Sequence, residues 1–131
     1  MKFLIVSQYF WPEEFRINDL AFELVKKGHE VSVITGNPNY PKGEFNEGYG
    51  FKYLTETYNG VKIFRVPIFP RKNNSIMLVL NYLSFIFFGG VFAYFHKEKY
   101  DKVFSVNYSP ITAILPAIVW AKKNKVKLVI W

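Results

Sequence analysis

From Ile76 to Phe95 the chain runs for 20 residues without a charge. That is about the length of a helix that crosses a bilayer. The run constrains the fold because of what stands on either side of it. Short apolar runs that suit buried parallel strands precede it at Phe3–Val6 and Glu30–Thr35, and follow it at Lys102–Val106 and Val126–Trp131. Strands of one sheet must lie on one side of a membrane, and a crossing helix would part them. Basic residues flank both ends, Arg71 and Lys72 before, Lys97, Lys99 and Lys102 after, so they set no orientation. Two readings remain. The run is a crossover helix packed on the sheet, with Gly89, Gly90 and Ala93 allowing close approach. Or it is a monotopic helix, docked by those five cations and anchored by Phe85, Phe88, Phe92 and Tyr94.

The remaining segments alternate in type. Ile17, Leu20, Ala21, Leu24 and Val25 fall on one face of an amphipathic helix. Lys26 and Lys27 suit its carboxyl end and Gly28 its stop. Its start is open between Pro12, with Glu13 and Glu14 in the first turn, and Asn18 as cap. Gly36–Gly50 reads as a long loop, of a length that is often functional. Lys52–Tyr58 and Val61–Val66 alternate around Asn59-Gly60, a hairpin signal. A helix is expected over Asn74–His96, and another over Ile111–Lys123, interrupted or kinked at Pro116. The order β-α-β, hairpin, α-β-α-β predicts an α/β fold, a Rossmann-like parallel sheet with a β-hairpin insertion.

Composition narrows the function classes. With 131 residues the chain suits a single domain, 1–131. Half the residues are hydrophobic, which excludes a disordered tail. There is no cysteine, so disulfide scaffolds, thiolate metal sites and cysteine nucleophiles are excluded. Two distant histidines, His29 and His96, argue against a metal cluster, and no metal is expected. His29 reads as structural, and His96 as a cation at a helix end. Residues 1–70 hold 8 basic and 8 acidic side chains, residues 71–131 hold 9 and 2. The whole net charge of +7 thus lies in the greasy half, which suggests an anionic, partly apolar partner such as a membrane surface. Phe3–Val6 is too short for a signal-peptide core, so a cytoplasmic location is expected. The final strand has no loop after it, which predicts a fragment of a larger protein.

Three loops follow strand ends, where open parallel sheets bind ligands. The first, Ser7–Arg16, has no glycine and so no dinucleotide fingerprint. Arg16 can fork onto a phosphate or carboxylate, and Glu13 or Glu14 can accept sugar hydroxyls or act as a base. The acids can equally be ordinary helix-start residues. In the second, Asn39, Tyr40 and Lys42 can hydrogen-bond sugar hydroxyls or a phosphate, although turns use similar residues. In the third, Asn107, Tyr108 and Ser109 stand ready, or Ser109 simply caps the next helix. No catalytic residue emerges.

These residues, in this order, resemble a known family. Lys2–Val6 with Ser7-Gln8-Tyr9-Phe10-Trp11-Pro12-Glu13, the Leu24/Gly28/His29/Glu30/Val31 pattern, and Asn59-Gly60-Val61 with Arg65-Val66-Pro67 are similar to the amino-terminal domain of retaining GT-B glycosyltransferases. Thr35-Gly36-Asn37-Pro38-Asn39-Tyr40-Pro41 and Ser109-Pro110 with Pro116-Ala117 and Ala121-Lys122 narrow the likeness to enzymes of capsule, O-antigen and colanic-acid synthesis, fucosaminyl-transferase-like ones included. The resemblance implies an incomplete, amino-terminal half of a GT-B fold that binds the acceptor, often a sugar on a polyprenyl diphosphate. It implies a nucleotide-sugar donor held by a second domain, absent here, and transfer with retention and without metal or cofactor. It also implies work at the inner face of the membrane, as a peripheral protein. Many relatives have a glycine-rich first loop and a histidine where Asn107-Tyr108-Ser109 stand, and this chain has neither. Two other readings stay open: a non-catalytic Rossmann-like module that binds a protein or a membrane, and a nucleic-acid binder. The last is disfavoured because the lysines flank apolar segments rather than line one face with aromatics.

Overall fold

A computed structural model describes residues 1–39, 43–72, 74–106 and 111–131. Strands β1 (Lys2–Val6), β2 (Glu30–Gly36), β3 (Leu54–Tyr58), β4 (Val61–Val66), β5 (Lys102–Ser105) and β6 (Leu128–Ile130) form one sheet in the order β3-β4-β2-β1-β5-β6. All neighbours are parallel except the β3–β4 hairpin. Helix α1 (Arg16–Lys26) covers one face, and α2 (Ser75–Ser84), α3 (Gly90–Phe95) and α4 (Leu115–Asn124) cover the other. Period-two alternation divides the core accordingly. Phe3, Ile5, Val33 and Ile63 pack with Ile17 and Ala21, while Leu4, Val6, Ile34 and Val66 pack with Phe85, Ala117 and Trp120. The expected α/β Rossmann-like architecture is the one observed, with its hairpin at one edge of the sheet.

Local chemistry explains several boundaries. Asn59 and Gly60 have φ of 48° and 79°, the two left-handed residues that a tight hairpin turn needs. Gly28 ends α1 with φ 89°, its N–H donating to Val25 O. The start of α1 differs from both expectations. It begins at Arg16 after an extended Phe15 that supplies no side-chain cap. Asn18 is used otherwise, its Nδ2 donating to Glu13 O at 2.8 Å. Glu13 and Glu14 therefore precede the helix. Of the two expectations at Pro116, the interruption is the one observed and the kink is not. A 3₁₀ turn over Ile111–Ile114 comes first, and Pro116 lies in the first turn of α4, where its missing N–H costs nothing.

The uncharged run is one helical rod of three parts, α2, a π-helical turn over Phe85–Gly89, and α3. Asn74 caps it, accepting from Met77 N at 2.8 Å. The π turn has a geometric cause. Buried Asn81, Phe85, Gly89 and Ala93 recur every four residues. In a pure α-helix each such step drifts by about 40° around the axis. One extra residue in a wide turn absorbs most of the accumulated rotation and keeps the row on the sheet. Gly89 allows close approach, since a Cβ there would sit 2.9 Å from Pro116 Cγ. Gly90 does not, for a Cβ there meets nothing within 4 Å. The rod is long and apolar enough to cross a bilayer, but β1 before it and β5 after it are adjacent parallel strands, so in this fold it lies along the sheet. Phe85 is not available as an anchor, because it is fully buried in the core. Phe88 and Phe92 are half-buried against that core, while Tyr94 is exposed. His96 is not the expected helix-end cation. Burial lowers its pKa, and its Nε2 sits 2.9 Å from Tyr100 Oη.

Candidate functional site

The carboxyl ends of the parallel strands all open on one edge of the sheet, and the polar side chains gather there. Between β1 and β5 the outgoing connections part, to α1 on one face and to α4 on the other. This divergence makes a crevice at the strand ends. The segment after β1 is pinned beside β2: Thr35 Oγ1 donates to Gln8 O at 3.1 Å, and Gly36 N donates to the same oxygen at 3.2 Å. Gln8 Nε2 donates to Asn81 Oδ1 at 2.7 Å, and Asn81 Nδ2 donates to Phe69 O at 2.7 Å. The uncharged rod is thereby tied to the crevice.

Glu13 and Asn39 stand together here. Both are buried, and Asn39 N donates to Glu13 Oε2 at 3.1 Å. Asn39 Oδ1 accepts from Arg71 N at 2.7 Å, and Arg71 Nη1 donates to Tyr9 Oη at 2.9 Å. Burial raises the Tyr9 pKa, an effect that the neighbouring Arg71 opposes. Arg71 thus belongs to this edge rather than with the lysines that flank the uncharged run. Its guanidinium also lies 5.9 Å from the centre of the Tyr82 ring.

Arg65 is the residue that sequence reasoning passed over. It is 1% exposed. Its Nε donates to Glu56 Oε1 at 2.7 Å, Nη1 to Gly36 O at 3.0 Å, and Nη2 to Trp11 O. Its guanidinium lies 4.9 Å from the centre of the Tyr49 ring, and Tyr49 Oη donates to Glu56 at 2.9 Å. One fork therefore joins the loop after β1, the end of β2 and the hairpin. A signal was present: Val61, Ile63 and Arg65 share one face of a buried strand, and a cation at a core position needs a built partner. Buried Gln8 Oε1, Asn18 Oδ1, Asn37 Oδ1 and Ser105 Oγ have no hydrogen-bond partner among the described residues. Ser105 is paired in register with Val6, at the strand ends where the connections part.

The structure separates the other expected residues. Glu14 and Arg16 are exposed, and with Phe15, Asn18, Asp19 and Phe22 they line an open depression of about 410 Å³ beside the start of α1. Tyr40, Lys42, Asn107, Tyr108 and Ser109 lie outside the described residues. Among the described residues no group of acidic or histidine side chains could hold a metal ion. Lys72, Lys97, Lys99 and Lys102 are exposed, Lys99 Nζ donating to Asn124 Oδ1 at 2.8 Å. Chemically, the edge offers a half-buried guanidinium that can hold an anion. It also offers amide, hydroxyl and carboxylate oxygens that can accept from hydroxyls.

No family model matches the chain. It is 29% identical over 90 residues to the putative colanic acid biosynthesis glycosyl transferase WcaI of Escherichia coli, a match that takes in 65% of this chain and 22% of that protein. The chain thus has a distant likeness to a glycosyltransferase and spans about a fifth of that relative's length. Its fold is similar to the crystal structure of the C-terminal domain of a hydrogenase from Pyrococcus furiosus. The TM-score is 0.56 over 98% of this chain and 89% of the other, at 14% identity. At that identity the likeness concerns the fold alone.

Proposed function

We propose that this chain is the acceptor-binding portion of a glycosyltransferase of the retaining GT-B type, acting in the synthesis of a surface polysaccharide. In this reading the donor is a nucleotide-sugar, held by a second domain, and the acceptor is a saccharide carried on a lipid diphosphate. The protein works at the cytoplasmic face of the membrane as a peripheral protein. Neither metal nor cofactor takes part. The observation that carries the reading is the Glu13/Asn39/Arg71/Tyr9 cluster at the carboxyl edge, taken with the distant likeness to a glycosyltransferase. Arg71 would face the diphosphate. The bond between Glu13 and Asn39 would hold together the two loops that frame the acceptor.

The test is equilibrium binding of a polyprenyl-diphosphate monosaccharide in detergent. Arg71→Ala is expected to weaken it about tenfold, the loss of one charge-assisted contact, with an unchanged circular dichroism spectrum. Equal binding by wild type and Arg71→Ala would overturn the assignment of that residue. Turnover of a nucleotide-sugar by these 131 residues alone would overturn the acceptor-only role.

A further inference from the structure

The rod formed by α2, the π turn and α3 has its amphipathicity reversed. The side packed on the protein holds Asn81, Ser84, Gly89 and Ala93, which are polar or small and buried. Phe85 alone is a large apolar side chain fully buried there. The side turned outward holds Ile76, Val79, Leu83, Phe87, Val91 and Phe95, which are all exposed, Ile76 at 74% and Phe87 at 63%. An ordinary surface helix in water does the opposite. Four of the outward residues, Val79, Leu83, Phe87 and Val91, also recur every four residues, so the same π turn that aligns the inner row aligns this one. The stripe does not end at the rod. Phe87 meets Phe88 at 5.1 Å between ring centres, Phe88 meets exposed Phe51 at 5.3 Å, and Phe51 meets exposed Phe69 at 5.0 Å. At the far end Tyr53, Val91, Phe92, Phe95, His96 and Lys97 line an open apolar groove of about 530 Å³. A continuous apolar patch of this kind marks an interaction site.

We propose that this outer face docks on an anionic phospholipid bilayer, the rod lying in the plane of the interface with its apolar side in the headgroup–acyl boundary. Charge decides among occupants. No charge lies within the rod, exposed Lys72 stands near its start, and exposed Lys97, Lys99, Lys122 and Lys123 stand near its end. A second copy packed on the stripe in either direction would bring lysine against lysine. The nearby acids are already engaged: Glu98 is 2.8 Å from Lys2 Nζ, and Asp101 accepts from Lys2 N at 2.7 Å. An anionic surface answers both ends at once. Tyr94 suits such a boundary, exposed at the rim with Lys123 Nζ 5.1 Å from its ring centre. This docking rests on and deepens the peripheral location proposed above, and does not depend on what the carboxyl edge binds.

The experiment is flotation of the whole chain with vesicles of phosphatidylcholine, alone or mixed with phosphatidylglycerol, and free of any saccharide lipid. Wild type is expected to float with the mixed vesicles about tenfold more than with the neutral ones, less so as salt rises. The triple variant Val79→Ser/Leu83→Ser/Phe87→Ser is expected to lose both forms of binding. The triple variant Lys97→Glu/Lys99→Glu/Lys122→Glu is expected to lose only the anionic preference. A second readout keeps wild-type packing. With no native cysteine, a nitroxide on Leu83→Cys should become accessible to oxygen and shielded from an aqueous quencher when vesicles are added, while one on Glu23→Cys in α1 stays aqueous. The proposal is overturned if wild type ignores both vesicles or the Leu83 label stays aqueous. It is also overturned if the outer face instead forms a dimer or protein complex without lipid binding. Failure here would remove the peripheral location and leave the acceptor reading standing, because no acceptor is present in the assay.

Discussion

Arg65 shows how one residue can organise a site without touching a ligand. Its three bonded nitrogens hold Trp11, Gly36 and Glu56 in one place, so the loops that present Glu13 and Asn39 are set by a buried guanidinium. Arg65→Ala leaves the Trp11 and Gly36 carbonyls short of a donor and Glu56 without its cation. The expected cost is about 3 kcal/mol, read as a lowered urea midpoint. Arg65→Lys keeps the charge but offers a point donor in place of a fork. It should fall between wild type and Arg65→Ala, and an Arg65→Lys midpoint no higher than that of Arg65→Ala would show that charge, not fork geometry, is irrelevant at this position.

The π turn crosses α4 at close range. Gly89 approaches Pro116, and an added Cβ would lie 2.9 Å from Pro116 Cγ. A proline ring cannot swing aside, so Gly89→Ala should push the two helices apart and cost about 1–3 kcal/mol. Gly90 is the internal control. It has helical backbone, φ −64°, and open space around its Cα. Gly90→Ala should stabilise by up to about 1 kcal/mol, because alanine loses less backbone entropy in a helix. Thermal melts of the two variants should therefore move in opposite directions. Two shifts of the same sign would place the close approach elsewhere.

Across the whole molecule, acid acts through the edge opposite the candidate site. His96 is packed against Phe64, Phe92 and Tyr100. Its pKa is lowered from 6.5 first by burial, with Lys62, Lys2 and Lys123 adding to the effect and Glu98 opposing it. The unfolded chain therefore takes up this proton before the folded one does. Stability is complete above about pH 6.5 and falls as pH drops below it. Glu98 adds to the loss at lower pH. Burial would raise its pKa, but the Lys2 bond and charge outweigh that and hold it below 4.5. Its share of stability is present above that value and is lost on further acidification. His96→Gln should flatten the stability profile just below about pH 6.5 and leave the loss that Glu98 contributes at lower pH. A profile unchanged by the substitution would remove His96 as the cause.

The sequence by itself determined the alternation of helices and buried strands, the hairpin at Asn59-Gly60, the stop at Gly28 and the basic, uncharged-cored second half. Each of these is a local matter of side-chain period, allowed φ or charge order. It also placed Glu13 and Asn39 on strand-end loops, which the fold brings within a hydrogen bond. Only the tertiary structure decided the rest. Periodicity cannot tell which side of an all-apolar helix faces protein. That Phe85 is core while Phe87 is exposed followed from the sheet beneath the rod. Proximity in sequence grouped Arg71 with the flanking lysines, yet a bond to Tyr9, 62 positions earlier, turns it into the crevice. Arg65 read as one more strand residue until three separate segments converged on it. Local order writes the elements, and the long-range pairing of polar groups, which no short window contains, writes the site.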